Sequence, residues 1–169
     1  VTDIDDSFAS DIEQSILYLN RHKIKHFILD IHSYGGNVFS AWKAKGLLDE
    51  FEASGGIVET RLRGMALSAG FIIFCAGTMG YRYVNPQAEL MLHEIGMYKG
   101  GLFYIEKVTP SSAEEEARIL NHLQDTITAW LATRGKLSKD ELRTKMKQRE
   151  FWMNGYEAYT MGFADKLIK

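Results

Sequence analysis

Arg63-Gly64-Met65-Ala66-Leu67-Ser68-Ala69-Gly70-Phe71-Ile72-Ile73-Phe74 sets one serine among small residues, directly ahead of an apolar run. Small residues on both sides allow a tight backbone turn and the close approach of another chain. The apolar run can form a helix buried behind the serine. A hydroxyl at the start of such a helix lies at the positive end of the helix dipole, where developing negative charge is favoured. Ser68 can therefore be a nucleophile. It can equally be an N-cap whose oxygen accepts a helix N–H.

Outward from this turn, strands and helices alternate. Ile57 to Leu62 precedes it as a strand, and before that Gly55-Gly56 stops the helical spacing of Val38 to Phe51. Ile24 to Ile31 reads as a buried strand ending ahead of Gly35-Gly36, and Phe8 to Leu19 carries apolar residues at helical spacing. Downstream, Tyr81 to Val84 and Glu89 to His93 are short strand candidates split by Asn85-Pro86. Pro110-Ser111-Ser112-Ala113-Glu114-Glu115-Glu116 predicts a helix start with acids in its first turn, running to about Ala132 and stopping at Arg134-Gly135. Leu137-Ser138 with Glu141 opens another helix, Gly155 to Met161 is a short one, and Phe163 to Ile168 reads as a last strand. The alternation predicts an α/β fold with largely parallel pairing. A length of 169 residues suits a single domain with a real core.

Composition narrows the function. The hydrophobic share is 46%, the charged share 25% and the net charge −2, which is ordinary for a soluble globular chain and offers no surface for nucleic acid or membrane. The apolar run from Phe71 to Ala76 falls far short of the about 20 residues that span a bilayer. No stretch reads as a secretory signal. Cys75 is the only cysteine, so neither an internal disulfide nor a cysteine-based metal cluster is expected. Its apolar neighbours make it an inert core thiol. A reducing cytoplasm is compatible with this usage. His22, His26, His32 and His122 show no metal-ligand spacing, and no metal or cofactor is expected.

Three further stretches bear on chemistry. Ser33-Tyr34-Gly35-Gly36-Asn37-Val38 joins a strand to a helix. Its backbone N–H groups can serve an anion, or one side of an oxyanion hole whose other donor is the Ala69 N–H. An ordinary strand–helix turn would look the same. Neither a Gly-x-x-x-x-Gly-Lys-Ser/Thr nor a Gly-x-Gly-x-x-Gly pattern occurs, so nucleotide readings are weak. His93 ends an apolar strand and can act as general base toward Ser68, or be a strand-end histidine satisfied by a carbonyl. Glu150 precedes the aromatic pair Phe151-Trp152, which reads as buried, and is a candidate to orient the imidazole.

Taken together, these stretches resemble the proteolytic subunit family of the Clp protease, a serine peptidase. The resemblance runs from about Asp3 to Ile168. Ile31-His32-Ser33-Tyr34-Gly35-Gly36-Asn37-Val38 is similar to the family's Ile-Asn-Ser-Pro-Gly-Gly-x-Val. Gly64-Met65-Ala66-Leu67-Ser68-Ala69-Gly70 resembles its Gly-Met-Ala-Ala-Ser-Met-Gly, and Leu90-Met91-Leu92-His93-Glu94 its Val-Met-Ile-His-Gln. Ala76-Gly77 with Tyr81 to Pro86, and Arg149 to Asn154 with Glu157-Ala158 and Gly162 to Asp165, match the remaining family stretches.

The resemblance implies a ClpP/crotonase-like superhelix of repeated β-β-α units, with a strand–helix handle at about residues 96–132. It implies Ser68 as nucleophile, His93 as base, Gly36 and Ala69 as oxyanion donors, and Tyr34, Gly35, Gly100 and Gly101 against the substrate. Glu150 stands where the family has its triad aspartate, one methylene longer, and Asp165 is a poorer substitute. The implied substrate is a peptide or unfolded protein. The implied assembly is a homo-oligomer, a heptamer or stacked heptamers; an AAA+ unfoldase partner is compatible with the resemblance, and nothing in this chain itself supports one. The stretch from His93 to Arg134-Gly135 is several residues longer than in the family, as in a divergent phage or prophage relative. Ser…His…acid order sets the chain apart from α/β-hydrolases. Three alternatives stay open: a Ser–Lys peptidase of the signal peptide peptidase type, a crotonase-type acyl-CoA enzyme, and a ring or scaffold protein with a decayed triad.

Overall fold

Helix starts follow from local side chains. Helix α1 (Asp6–Arg21), after the short strand β1 (Asp3–Ile4), is capped by Asp5, whose carboxylate accepts the Phe8 N–H at 2.8 Å. Strand β2 (His26–Ser33) and the two-residue β3 (Gly35–Gly36) lead to α2 (Val38–Ala53), capped by Asn37 through the Phe39 and Ser40 N–H groups. Next come β4 (Ile57–Leu67), α3 (Ala69–Cys75), β5 (Arg82–Val84) and β6 (Glu89–Leu92). After them α4 (Pro110–Arg134), α5 (Lys139–Met146), β7 (Phe151–Asn154), α6 (Gly155–Thr160) and β8 (Lys166–Leu167) complete the order. Helices α5 and α6 each begin with a capping box, Ser138 with Glu141 and Asn154 with Glu157. This computed structural model describes residues 1–96, 110–147 and 149–168, the side chains of 110–112 apart.

The mixed α/β architecture agrees with the sequence reading, and its departures have physical reasons. Strand β4 does not end at Leu62 but runs to Leu67, although Gly64-Met65-Ala66 has little strand propensity. Pairing accounts for it: Met65 to Leu67 lie beside Glu89 to Met91 of β6, parallel, while Ala66 lies beside Ser33. Helix α4 starts at Pro110, so the acidic run Glu114 to Glu116 falls beyond its first turn. The last strand contracts to Lys166–Leu167 because residues 162–165 form a turn held by Arg82.

A six-stranded sheet runs in the order β7-β6-β4-β5-β8, with β2 also paired to β4. All pairs are parallel except β6 with β7. Strand β4 is the hinge of the sheet: its first half lies between β2 and β5, its end between β2 and β6. Helix α3 is buried along its whole length, and Phe71 meets Phe163 edge-on at 5.2 Å. Burial pushes the Cys75 thiol up to about 12, as suits an inert core group.

One polar hub closes the far end of the core. Arg82 is 1% exposed. Its guanidinium donates to both oxygens of Asp165, to the Arg134 carbonyl at 2.6 Å and to the Gly162 carbonyl at 2.9 Å. Asp165 also accepts the Gly80 and Arg82 N–H groups. Burial alone would raise the Asp165 carboxyl, but the bonds and charge of Arg82 outweigh it and hold the group below its ordinary value.

Candidate active site

Ser68 sits at the junction of β4 and α3 with φ 53° and ψ −119°, one of two non-glycine residues with positive φ among those described. Such a conformation stores about 1–3 kcal/mol of strain. The cap reading fails here, because the Ser68 side chain accepts no helix N–H. Its backbone is pinned from both sides. The Ser68 N–H donates to the Met91 carbonyl at 2.8 Å, and its own carbonyl accepts from Phe71 at 3.0 Å.

The first of those bonds also places the histidine. Strand β6 runs parallel to β4 with Leu67 beside Met91, so the chain leaves the sheet at His93 alongside the serine turn. His93 Nε2 lies 2.9 Å from Ser68 Oγ. Its Nδ1 lies 2.5 Å from the Glu94 carbonyl. A carbonyl only accepts, so the proton of the neutral ring sits on Nδ1. Nε2 then carries the lone pair, and the Ser68 hydroxyl donates to it. The following Ile95 N–H is fixed by the buried Gln124 of α4, at 2.8 Å.

The glycine turn closes the opposite side. Gly35 and Gly36 have φ of 105° and 143°, which a side chain would strain. A Cβ on Gly35 would lie 2.8 Å from both the Leu67 carbonyl oxygen and Ser68 Cβ, and 3.3 Å from the Ala69 nitrogen. The glycine turn thus rests directly on the nucleophile turn. On the other edge, Asn37 donates to the Ile4 carbonyl at 2.7 Å, pairing the turn with β1.

Of the residues singled out from the sequence, Ser68, His93, Gly35 and Ala69 come together, with Gly36 next in the chain. Tyr34 is 69% exposed beside them, edge-on to His32 at 6.1 Å. Gly100 and Gly101 lie outside the described residues. Glu150 does not touch the imidazole: it is exposed and accepts the Trp152 indole N–H at 2.8 Å. The pair Phe151-Trp152 is not buried either, since Trp152 is 48% exposed. Strand β7 packs one face only, and the indole turns outward to bond the carboxylate. Yet Phe151 lies opposite Leu92, so that antiparallel register, carried one step past its last pair, would set Glu150 opposite His93. Asp165 is removed as a substitute by its bonds to Arg82.

Sequence reasoning missed two contributors. Nothing in the sequence marks the Glu94 carbonyl as the partner of Nδ1. Ser33, fully buried, accepts the Gly35 N–H at 3.1 Å; a serine ending an apolar strand before two glycines was the available signal. Among the described residues no group of His, Cys, Asp and Glu could hold a metal ion, and no helix is long and apolar enough to cross a membrane.

Comparison with known proteins gives the family and the fold. A sequence profile of the Clp protease family matches residues 1–169. The ATP-dependent Clp protease proteolytic subunit of Porphyromonas gingivalis is 30% identical over 170 residues, covering 99% of this chain and 71% of that protein. Its namesake in Streptococcus pyogenes is 28% identical over 168 residues, 98% of this chain and 81% of that one. The structure of a ClpP1 mutant from Listeria monocytogenes superposes with a TM-score of 0.83 at 21% identity, covering 99% of this chain and 88% of the other.

Proposed function

The chain belongs to the Clp protease family and is a serine-type peptidase, and from that premise we propose that Ser68 and His93 cleave peptide bonds as a nucleophile–base pair. The observation that carries the reading is the 2.9 Å approach of His93 Nε2 to a strained, uncapped Ser68. His93 takes the Ser68 proton as Oγ attacks the peptide carbonyl. The imidazolium then protonates the leaving amine, and water, deprotonated by the same ring, releases the acyl group as a carboxylic acid. The oxyanion meets the N–H groups of Ala69 and Gly36. Ala69 opens α3, where the first N–H groups have no helical partner. Asn37 is bonded toward β1, which favours the opposite direction for the Gly36 N–H. Each such donor is worth about 3 kcal/mol of barrier.

The Glu94 carbonyl holds the imidazole in the reactive tautomer, with Glu150 one register step away as an auxiliary acid. Tyr34 and Gly35, with Gly100 and Gly101, would flank an extended peptide or unfolded segment. The chain is read as one domain of a homo-oligomeric ring, a heptamer or stacked heptamers, with residues 96–132 as its handle. The relatives are named ATP-dependent, and this sequence carries no nucleotide-binding motif.

A fluorophosphonate probe tests the reading. It should label the protein once per chain, and Ser68→Ala should abolish both labelling and peptide cleavage. Equal labelling of Ser68→Ala would overturn it.

A further inference from the structure

The oxyanion strand and the nucleophile turn come from segments more than thirty residues apart in the chain, and their relative position must hold to a fraction of an ångström for the reaction to proceed. One side chain bears on both. Strands β2 and β4 keep register from His26 with Ile57 to Ile31 with Leu62, and then shift: Ser33 lies beside Ala66. Two residues on β2 thus oppose four on β4, a bulge of the kind that re-aims a strand beside a functional site. The shift sets Ser33 two residues short of the glycine pair and level with the approach to Ser68.

Ser33 is fully buried. Its Oγ accepts the Gly35 N–H at 3.1 Å, tying it to the glycine turn. Its other side bears on α3: a Cβ on Gly70 would lie 2.8 Å from Ser33 Cβ and 2.9 Å from Ser33 Oγ. The hydroxymethyl group therefore fills the space that the absent side chain of Gly70 leaves. One small polar group holds Gly35 by a hydrogen bond and meets the first turn of α3 by direct contact. Neither glycine could carry a side chain in this arrangement without a shift of its neighbours.

We propose that Ser33 is a positioning residue, which sets the distance between the glycine strand and the Ser68–Gly70 turn and so aligns the two oxyanion donors on one point. The proposal rests on the peptidase reading above. It predicts a defect confined to the transition state. Substrate binding draws on other surfaces, whereas charge on the tetrahedral oxygen needs both donors at once.

The experiment compares wild type, Ser33→Ala and Ser33→Thr in the assembled protein. Ser33→Ala keeps the packing but leaves the Gly35 N–H without its acceptor; Ser33→Thr restores the acceptor. The readouts are fluorophosphonate labelling rate, labelled fraction at saturation, kcat, KM and the affinity of a peptide boronate that mimics the tetrahedral state. Ser33→Ala should still label to completion, about ten- to a hundredfold more slowly. Its kcat and boronate affinity should fall by the same factor, with KM within twofold. Ser33→Thr should recover a substantial part of the loss. Unchanged labelling rate and kcat in Ser33→Ala would overturn the proposal and leave the peptidase reading intact. A lower saturating fraction, with normal kinetics in the fraction that labels, would also overturn it, since that reports folding alone. If Ser33→Ala does not fold, the kinetics of Ser33→Cys, close in size with only a weak acceptor, decide: wild-type KM with reduced kcat and boronate affinity supports alignment, and unaltered values overturn it. Failure of wild type to label at all would instead count against the peptidase reading.

Discussion

The Arg82–Asp165 hub and the Ser68–His93 pair both join side chains from distant segments, and they are completed in different ways. In the hub, Asp165 takes four bonds from backbone and guanidinium, and Arg82 reaches two carbonyls besides. Its backbone is unstrained, and the charge of the buried Arg82 is matched by a partly buried Asp165. In the pair, Ser68 holds a backbone conformation that side chains rarely adopt, its hydroxyl caps nothing, and the imidazole is half-buried between a hydroxyl and a carbonyl. A hub in which the donors meet acceptors can hold elements together but has little left with which to bind or react. The strained, half-open pair contributes less to stability and keeps a proton acceptor and a nucleophile available.

Removing the imidazole gives the widest separation between the two regions. His93→Ala should lower kcat/KM by about 10⁴-fold, while the melting temperature stays within a few degrees, because among the described residues the ring is hydrogen-bonded to one hydroxyl and one carbonyl. Steady-state cleavage of a fluorogenic peptide and calorimetry measure the two quantities. Retained activity would identify a Ser–Lys enzyme instead; among the described residues the partner of Ser68 Oγ is His93.

The hub should answer in the opposite sense. Asp165→Ala leaves Arg82 buried with its charge unmatched, and should cost about 3 kcal/mol or more of stability, with normal fluorophosphonate kinetics in the chains that remain folded. The sign with pH follows from the depressed carboxyl. Asp165 has a lower pKa folded than unfolded, so its contribution is complete above the unfolded value of about 4 and is lost as pH falls through the folded one. Denaturant melts between pH 3 and 6 should show wild type weakening toward the acid end and Asp165→Ala weakening less steeply. Parallel curves would remove Asp165 from the acid response.

The two regions also differ in how far the sequence announces them. Ser68, His93 and the glycine pair each stand at a visible break between an apolar strand and a helix or loop, so strand ends and small residues pointed to them individually. The helix start at Ser138 was equally legible, since its capping box with Glu141 acts within three residues; the caps Asn37 and Asn154 have the same short reach. The hub was not legible, because Arg82 and Asp165 are 83 residues apart and meet only through β5 and the turn after α6. Strand β7 was missed because its four residues lack alternation and owe their form to β6. The expectation for Glu150 rested on its place ahead of Phe151-Trp152 and on the resemblance, and chain position does not determine where a carboxylate points: the neighbouring Trp152 indole holds it.

Glu150 supplies the smallest expected effect and the finest distinction. If the Glu94 carbonyl fixes the tautomer of His93, Glu150→Gln should reduce kcat/KM by less than about tenfold, since the amide keeps an acceptor for Trp152 and the imidazole keeps its carbonyl. Where an acid orients the histidine of a serine peptidase, the same kind of change costs about 10⁴-fold. Glu150→Asp separates the cases further. Shortening by one methylene breaks the Trp152 contact without supplying anything the carbonyl lacks, so activity should stay near that of Glu150→Gln. A gain over wild type on Glu150→Asp, together with a 10³-fold or greater loss on Glu150→Gln, would show that a carboxylate reaches His93 during turnover. The register that sets Glu150 opposite His93 would then describe the working state better than the indole bond does.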